Sequence, residues 1–539
     1  MERHRSNTWF GRLTSVAAIG TLLATAGIAG SALTQVSGAL SYDQAALADL
    51  DDLAGFVGAR DLWACGFGGA GIDVALIDTG VTPMPGTGRL AAGPDLSFDA
   101  QTNSPAHLDL FGHGTHLASL INGRDPQASP PTTCRATSAN TAKSNEATLP
   151  GITGFAGMAP DSRVISLKAG AADGAVDVTQ VVAAIDWAVE NRTTDGRNIR
   201  VIAIPYGTNS TNPASSDPLS HAVSEAVRAG IVVVAAAGND GTTKVDLAFP
   251  ARNPDVITVG AADRLGTVDA TQWTVASFSD RGTVDRTPDV LVPGVDVPGL
   301  RVPGSWLDQT TSTQGNRFIR GSGTSQSTAV VAGVAAQLVQ KYPAATPAQV
   351  KDMLVSSTWS AKRGQVLGSV PVLYANKIVK AQPRQNVSNA TLATTGTGPV
   401  EALRVDGTFE IAGVPLTGEI DVQGRSFTAW APAATAQTAW NVGSWLGGTY
   451  TGTPTATTVP TAAWSASWSG QRWNKVEGYG GTWDGIKWSG IKWSGSTWDG
   501  IKWSGIKWSG IKWSGTTWDG IKWSGIKWSG IKWSGTTWA

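Results

Sequence analysis

Five histidines among 539 residues limit where imidazole chemistry can occur: His4, His107, His113, His116 and His221. Two share the run Gly112-His113-Gly114-Thr115-His116, which leads into the apolar stretch Leu117-Ala118-Ser119-Leu120-Ile121 and so puts His113 at the mouth of a helix. An imidazole there suits general-base work. A metal pair is conceivable at the His113/His116 spacing, but no acidic helper or third ligand accompanies it, and His116 reads as a structural neighbour. Asp78-Thr79-Gly80 closes an apolar run. Its carboxylate could orient an imidazole by accepting the Nδ1–H bond; a plain turn would use the same residues. In Gly321-Ser322-Gly323-Thr324-Ser325-Gln326-Ser327-Thr328-Ala329, Ser325 opens a helix whose free N–H groups favour an oxyanion, although an ordinary N-cap would satisfy the string as well. Ala235-Ala236-Ala237-Gly238-Asn239-Asp240-Gly241 offers the Asn239 amide as a donor to that oxyanion, or simply an Asn-Asp-Gly turn.

The elements that must position these groups are legible as short, uniformly apolar runs: 72–77, 164–167, 201–204, 231–235 and 256–259. Each is too short for a helix and too apolar for a half-exposed strand, so buried central strands are expected. Helical periodicity falls between and after them, at 178–191, 218–229, 324–342 and 347–356. The alternation predicts an α/β domain, a doubly wound and mostly parallel sheet with helices on both faces. In such a sheet reactive groups collect at the carboxyl ends of strands, where Asp78 and Asn239 stand.

Asp78-Thr79-Gly80, Gly112-His113-Gly114-Thr115-His116 and Gly323-Thr324-Ser325, in that order, resemble the subtilisin-like serine peptidases over roughly residues 55 to 380. Supporting matches are Gly157-Met158-Ala159-Pro160, Ala276-Ser277-Phe278-Ser279 and Val292-Pro293-Gly294. The order Asp, His, Ser separates this pattern from two other serine-hydrolase orders. The resemblance implies peptide-bond hydrolysis with Ser325 as nucleophile, His113 as acid and base, and Asp78 as orienter. It places Asn239 and the Ser325 N–H in the oxyanion hole, and substrate contacts at Pro205, Tyr206, Gly207, Ala236 and Gly238. No metal is required for that chemistry; structural calcium would follow the family habit, though no loop spells out a site. Three departures stand out. Ala329 replaces the usual proline, which is expected to loosen the geometry around Ser325. Pro205-Tyr206 stands where an edge strand usually pairs with substrate, which is expected to remove a ladder donor and narrow the pocket. Only about twenty residues precede the domain after a leader, too few for a folded inhibitory pro-region. An inactive or weakly active scaffold of this type that presents a Trp-rich cell-envelope or carbohydrate-binding tail is the alternative reading.

The remaining sequence concerns location and partners. Arg3, Arg5 and Arg12 precede an uncharged stretch from Leu13 to Leu33, a signal-peptide pattern with small residues at Gly30 and Ala32, or Ser37 and Ala39; its length also suits an uncleaved anchor. A secreted protein is expected, with cell-envelope association as an option. Cys65 and Cys134 either form one disulfide or remain two thiols. The 41 basic and 41 acidic side chains cancel, which points away from nucleic acid; polypeptide substrates and a monomer are expected. From Trp483 onward Trp recurs every five residues, mostly as Ile-Lys-Trp-Ser-Gly, and eight Lys against three Asp leave a net +5. Such a tail could meet cell-wall polymers, or be a low-complexity segment or thin solenoid. The expected organisation is a signal peptide or N-terminal anchor (1–39), the peptidase-like domain (55–381), a linker with a small β module (382–462) and the Trp-rich tail (463–539).

Overall fold

A computed structural model of the chain describes residues 44–101, 108–131, 134, 154–241, 246–310, 316–359, 372–404, 410–411, 414–441, 444–449 and 468–469, and short strands between 488 and 534. The leader and His107 lie outside the described residues.

The five predicted runs become β1 (Asp73–Asp78), β3 (Arg163–Lys168), β4 (Ile199–Ile204), β5 (Val232–Ala236) and β6 (Ile257–Asp263) of one large sheet, which also holds β2 (Arg89–Asp95), β7 (Thr274–Val275), β8 (Val290–Pro293), β11 (Thr358–Trp359) and β12 (Val372–Leu373). Their spatial order is β11-β12-β8-β6-β5-β4-β1-β3-β2, with β7 paired to β6. The pairs from β8 through β2 are parallel, while β7 and β11 join antiparallel. A separate antiparallel pair, β9 (Val297–Leu300) and β10 (Phe318–Gly321), was not foreseen. Two-fold alternation sends side chains to opposite faces. Ala75, Ile77, Ile202, Ile204, Val233 and Ala235 enter one core with helices α4 (Val178–Glu190) and α5 (Pro218–Arg228). Val74, Leu76, Val201, Ala203, Val232 and Val234 enter the other. Helices α1 (Gln44–Phe56), α2 (Ala59–Ala64), α3 (His113–Asn122), α7 (Thr324–Lys341) and α8 (Pro347–Ser356) cover that second face. A short α6 (Trp306–Thr310) lies between β9 and β10.

The caps explain why the helices start where they do. Asp177 accepts from Thr179 N and Gln180 answers with its side chain, a capping box for α4; Thr346 and Gln349 repeat the device at α8. Asp217 caps α5 through Ser220 N, with Pro218 in the first turn.

Residues ahead of the sheet belong to the domain. Leu50, Leu53 and Ala54 of α1 are buried in the second core, and Asp49 pairs with Arg264 and Arg320.

The described residues between 391 and 449, expected as linker and small β module, are docked against the first face. Short β pairs are present at Glu410–Ile411 with Val414–Pro415, and through Trp440–Asn441, Ser444–Trp445 and Gly448–Thr449. Yet Leu403, Val422, Phe427, Trp430 and Trp445 share one apolar cluster with α4 and α5. A buried Arg404–Asp177 ion pair (2.8 Å) fastens this segment to the start of α4. In the tail, backbone strands pair in parallel at a 20-residue offset: Trp488 with Trp508, Lys492 with Lys512, Trp498 with Trp518 and Lys502 with Lys522. Four five-residue units therefore make one period, and Asp499 falls in register with Asp519. Among the described residues no helix is long and apolar enough to cross a membrane.

Candidate active site

Asp78 ends β1, two positions beyond Leu76, so alternation turns it toward the face covered by α3 and α7. His113 is the first residue of α3. Its Nδ1 lies 2.9 and 3.0 Å from the two Asp78 carboxylate oxygens. Both side chains are buried. The glycine after His113 is required by this approach: a Cβ on Gly114 would stand 2.1 Å from the Gly80 carbonyl oxygen and 3.0 Å from Asp78 Oδ1. With Nδ1–H donated to Asp78, Nε2 carries the lone pair, and it makes no hydrogen bond among the described residues. Burial raises the Asp78 carboxyl above its usual range, opposed by His113 and by the Thr79 N–H that donates to it at 2.7 Å. His116, one turn on, is buried, and desolvation with the neighbouring His113 drives it down to about 3. It stays neutral at ordinary pH, unsuited to proton shuttling.

Ser325 occupies the first turn of the 18-residue helix α7, among N–H groups that lack intrahelical acceptors. Its Oγ stands 3.5 Å from the Pro205 carbonyl oxygen. Asn239, in the loop after β5, accepts from both the N–H and the hydroxyl of Thr324 through Oδ1, each at 2.9 Å. That fixes the amide plane and leaves Nδ2 beside the helix start, 3.4 Å from where a Cβ on Gly323 would stand. Asp280 shapes the loop beneath it, taking Asp240 N at 2.7 Å and Gly241 N at 2.8 Å on Oδ1. Gly238 holds φ 116° there, and a Cβ would meet Asp280 Oδ2 at 2.1 Å. Such an arrangement can accept a proton at Nε2 of His113 and surround negative charge with N–H donors at the head of α7.

The other expected site residues are placed differently from one another. Ala236 ends β5 and Gly238 follows two residues later, beside Asn239. β4 is a central strand bonded on both sides by β1 and β5, not the edge strand expected, and Pro205 lies just past its end, outside the β4 ladder. Tyr206 continues the alternation of Ile202 and Ile204 and is buried in the first core. A Cβ on Gly207 would press on Ala248 at 2.7 Å. Ala329 is buried within continuous helix α7, and the helix keeps its start at Thr324 without a proline.

Sequence reasoning missed Asp109, Lys168 and Asp280. Lys168, paired in register with Asp78, buries its ammonium between Asp99 (2.9 Å) and the Thr79 carbonyl (2.8 Å). A charged residue closing an apolar strand was the available signal. Cys65 and Cys134 form a disulfide with a Cα–Cα distance of 4.6 Å, closing a loop that holds both Asp78 and His113. Among the described residues no group of three or more His, Cys, Asp or Glu side chains is placed to hold a metal ion.

The fold and these side chains define a subtilisin-like serine endopeptidase. The signature of the Subtilase family matches residues 69–398, and the chain belongs to that family. It is similar to "Serine protease AprX" of Bacillus subtilis (32% identical, covering 58% of this chain and 66% of that protein). It also resembles "Thermostable alkaline protease" of Halalkalibacterium halodurans (30%, 60% and 71%) and "Subtilisin" of Bacillus pumilus (30%, 54% and 85%). The chain thus spans about two thirds of the length of the first of these relatives. Among solved structures it resembles a cold adapted subtilisin-like serine proteinase at 25% identity and a TM-score of 0.40, covering 57% of this chain and 89% of that one.

Proposed function

We propose that Ser325, His113 and Asp78 carry the peptidase reaction and that Asn239 stabilises its oxyanion. Ser325 Oγ attacks the scissile carbonyl carbon while its proton passes to His113 Nε2. The carbonyl electron pair moves to oxygen, where Asn239 Nδ2–H and the Ser325 backbone N–H receive it. Collapse breaks the C–N bond, Nε2 returns the proton to the leaving amine, and an acyl ester remains on Ser325. Water then repeats the cycle, giving its proton to Nε2, and the carboxylic acid departs. Asp78 keeps the imidazole in the tautomer with its lone pair at Nε2 and stabilises the imidazolium. The observation that carries this reading is the His113 Nδ1 contact to both Asp78 oxygens on the sheet face that also holds the α7 N-terminus. Proton transfer alone generates the nucleophile, so no cofactor is assigned; structural calcium is assigned to no loop. The test is labelling with a serine-directed fluorophosphonate: wild type labels and Ser325→Ala does not, whereas equal labelling of both removes Ser325 from its role.

We further propose an exported monomer acting on polypeptides. The basic-then-apolar leader and the Cys65–Cys134 disulfide support export, since such bridges persist in oxidising compartments. The Trp- and Lys-rich tail is proposed to hold the enzyme at cell-wall polymers. Its net +5 and repeated aromatic positions support that attachment. A cell-wall pull-down of the full chain, compared with one whose residues 463–539 are scrambled, should retain only the former; equal retention would remove the attachment.

A further inference from the structure

Asp109 is fully buried, carries no cation partner among the described residues and has no part in the proton transfers above. Its carboxylate nevertheless has several donors. Oδ1 accepts Gly112 N at 2.6 Å and the Thr79 hydroxyl at 2.8 Å, while Oδ2 accepts Thr115 N at 2.7 Å. Two of these donors flank His113 along the chain, and the third adjoins Asp78. The lacing continues on both sides: Gly114 N donates to Thr79 Oγ1 at 3.0 Å, Asp109 N to Thr82 Oγ1 at 3.0 Å, and Thr82 N to Thr115 Oγ1 at 2.9 Å. Thr79 has a single hydroxyl proton and two carboxylates in reach, Asp109 at 2.8 Å and Asp78 at 3.1 Å. The shorter bond takes it, which leaves Asp78 to His113 and to the Thr79 N–H.

A buried carboxylate without a cation is costly unless hydrogen bonds compensate it, and an apolar residue of similar size would relieve the cost. We propose that Asp109 is a positioning residue: it ties the strand end that bears Asp78 to the helix start that bears His113, through the Thr79 hydroxyl and the backbone N–H groups of Gly112, the residue before α3, and Thr115 within it. The inference rests on the catalytic reading above. Its consequence is kinetic. The imidazole must meet serine and carboxylate together, and small displacements of such groups are expensive in rate, while substrate affinity is set elsewhere.

The experiment uses the purified full chain and a chromogenic peptide. Asp109→Asn should lower kcat by about 10- to 100-fold with KM within about twofold, and slow fluorophosphonate labelling by a similar factor. The structural control is Asn122→Ala at the far end of the same helix, which removes bonds to the Arg89 and Ser162 carbonyls. It should lower Tm and leave kcat within about twofold. Asp109→Asn with near-wild-type kcat, or with no more loss than Asn122→Ala shows at equal Tm, overturns the proposal. If Asp109→Asn does not fold, Thr79 decides: Thr79→Val should depress kcat and Thr79→Ser should restore it, and a fully active Thr79→Val overturns the bridge. Failure of wild type to label at Ser325 would instead sink the catalytic reading, so the two outcomes are distinguishable.

Discussion

Two buried aspartates on opposite faces of the sheet receive ring N–H groups, and only one of them is built for proton transfer. At the carboxyl end of β1, Asp78 takes the Nδ1–H of His113. On α4, Asp186 takes the indole N–H groups of Trp430 and Trp445 on one oxygen, at 2.7 and 2.8 Å. Burial raises both carboxyls, Asp186 to about 7. The difference lies in the partner. An imidazole that donates at one nitrogen accepts at the other, so charge on Asp78 can act across the ring on a proton arriving at Nε2. An indole has one N–H and nothing to accept with, so the Asp186 contact ends in structure: it pins the segments that carry Trp430 and Trp445 to α4. Burial and a raised carboxyl, taken alone, do not mark chemistry.

The sharpest way to break this contrast is to remove the groups on the proposed chemical side. Ser325→Ala should reduce kcat by about a million-fold and Asp78→Asn by about ten-thousand-fold, each with Tm near wild type, read from peptide hydrolysis and thermal melts. Asn239→Ala should follow with a loss of about a hundred- to thousand-fold in kcat and little change in KM, as expected of a donor used mainly in the transition state. A proportionate rise in KM would move Asn239 from the oxyanion to ground-state binding.

On the structural side the pattern should invert. Trp430→Ala should cost about 3–5 kcal/mol of stability, because a fully buried indole leaves a cavity and Asp186 loses a donor, while kcat of the folded fraction stays near wild type. A drop in kcat at permissive temperature would mean that the docked segment reaches the site. The smallest effect is in pH. Asp186 binds its proton more tightly folded than unfolded, so between about pH 4 and 7 the folded state holds more protons and this group's contribution declines as pH rises. Asp186→Asn should therefore look most destabilising near pH 4–5 and less so near pH 8, a difference of a few kcal/mol at most, measured by denaturant melts. An unchanged difference across that range would show that the two indoles hold the carboxylate ionised.

Much of this contrast was invisible before folding. The Asp78, His113, Ser325 and Asn239 segments were legible because each pairs an unusual residue with glycines at the boundary of an apolar run. Asp186 sits inside an amphipathic helix like any polar residue, and its partners stand 244 and 259 positions away. Of the 24 tryptophans, the twelve that recur from Trp483 drew attention to the tail, whereas Trp430, Trp440 and Trp445, outside that repeat, dock on the first core. Asp109 was passed over for a different reason: four residues before a histidine, an aspartate looks like loop.

By itself, then, the sequence determined the alternating strands, the helix starts, the order Asp, His, Ser and the close glycine approaches, because periodicity, capping and backbone collisions are properties of a few neighbouring residues. Tertiary structure alone decided that Pro205 follows a central strand, that Tyr206 is core, that Cys65 finds Cys134, and that the described residues between 391 and 449 close one face. Each of those depends on which distant surface a residue meets, and burial and hydrogen-bond partners exist only once the sheet has brought those surfaces together.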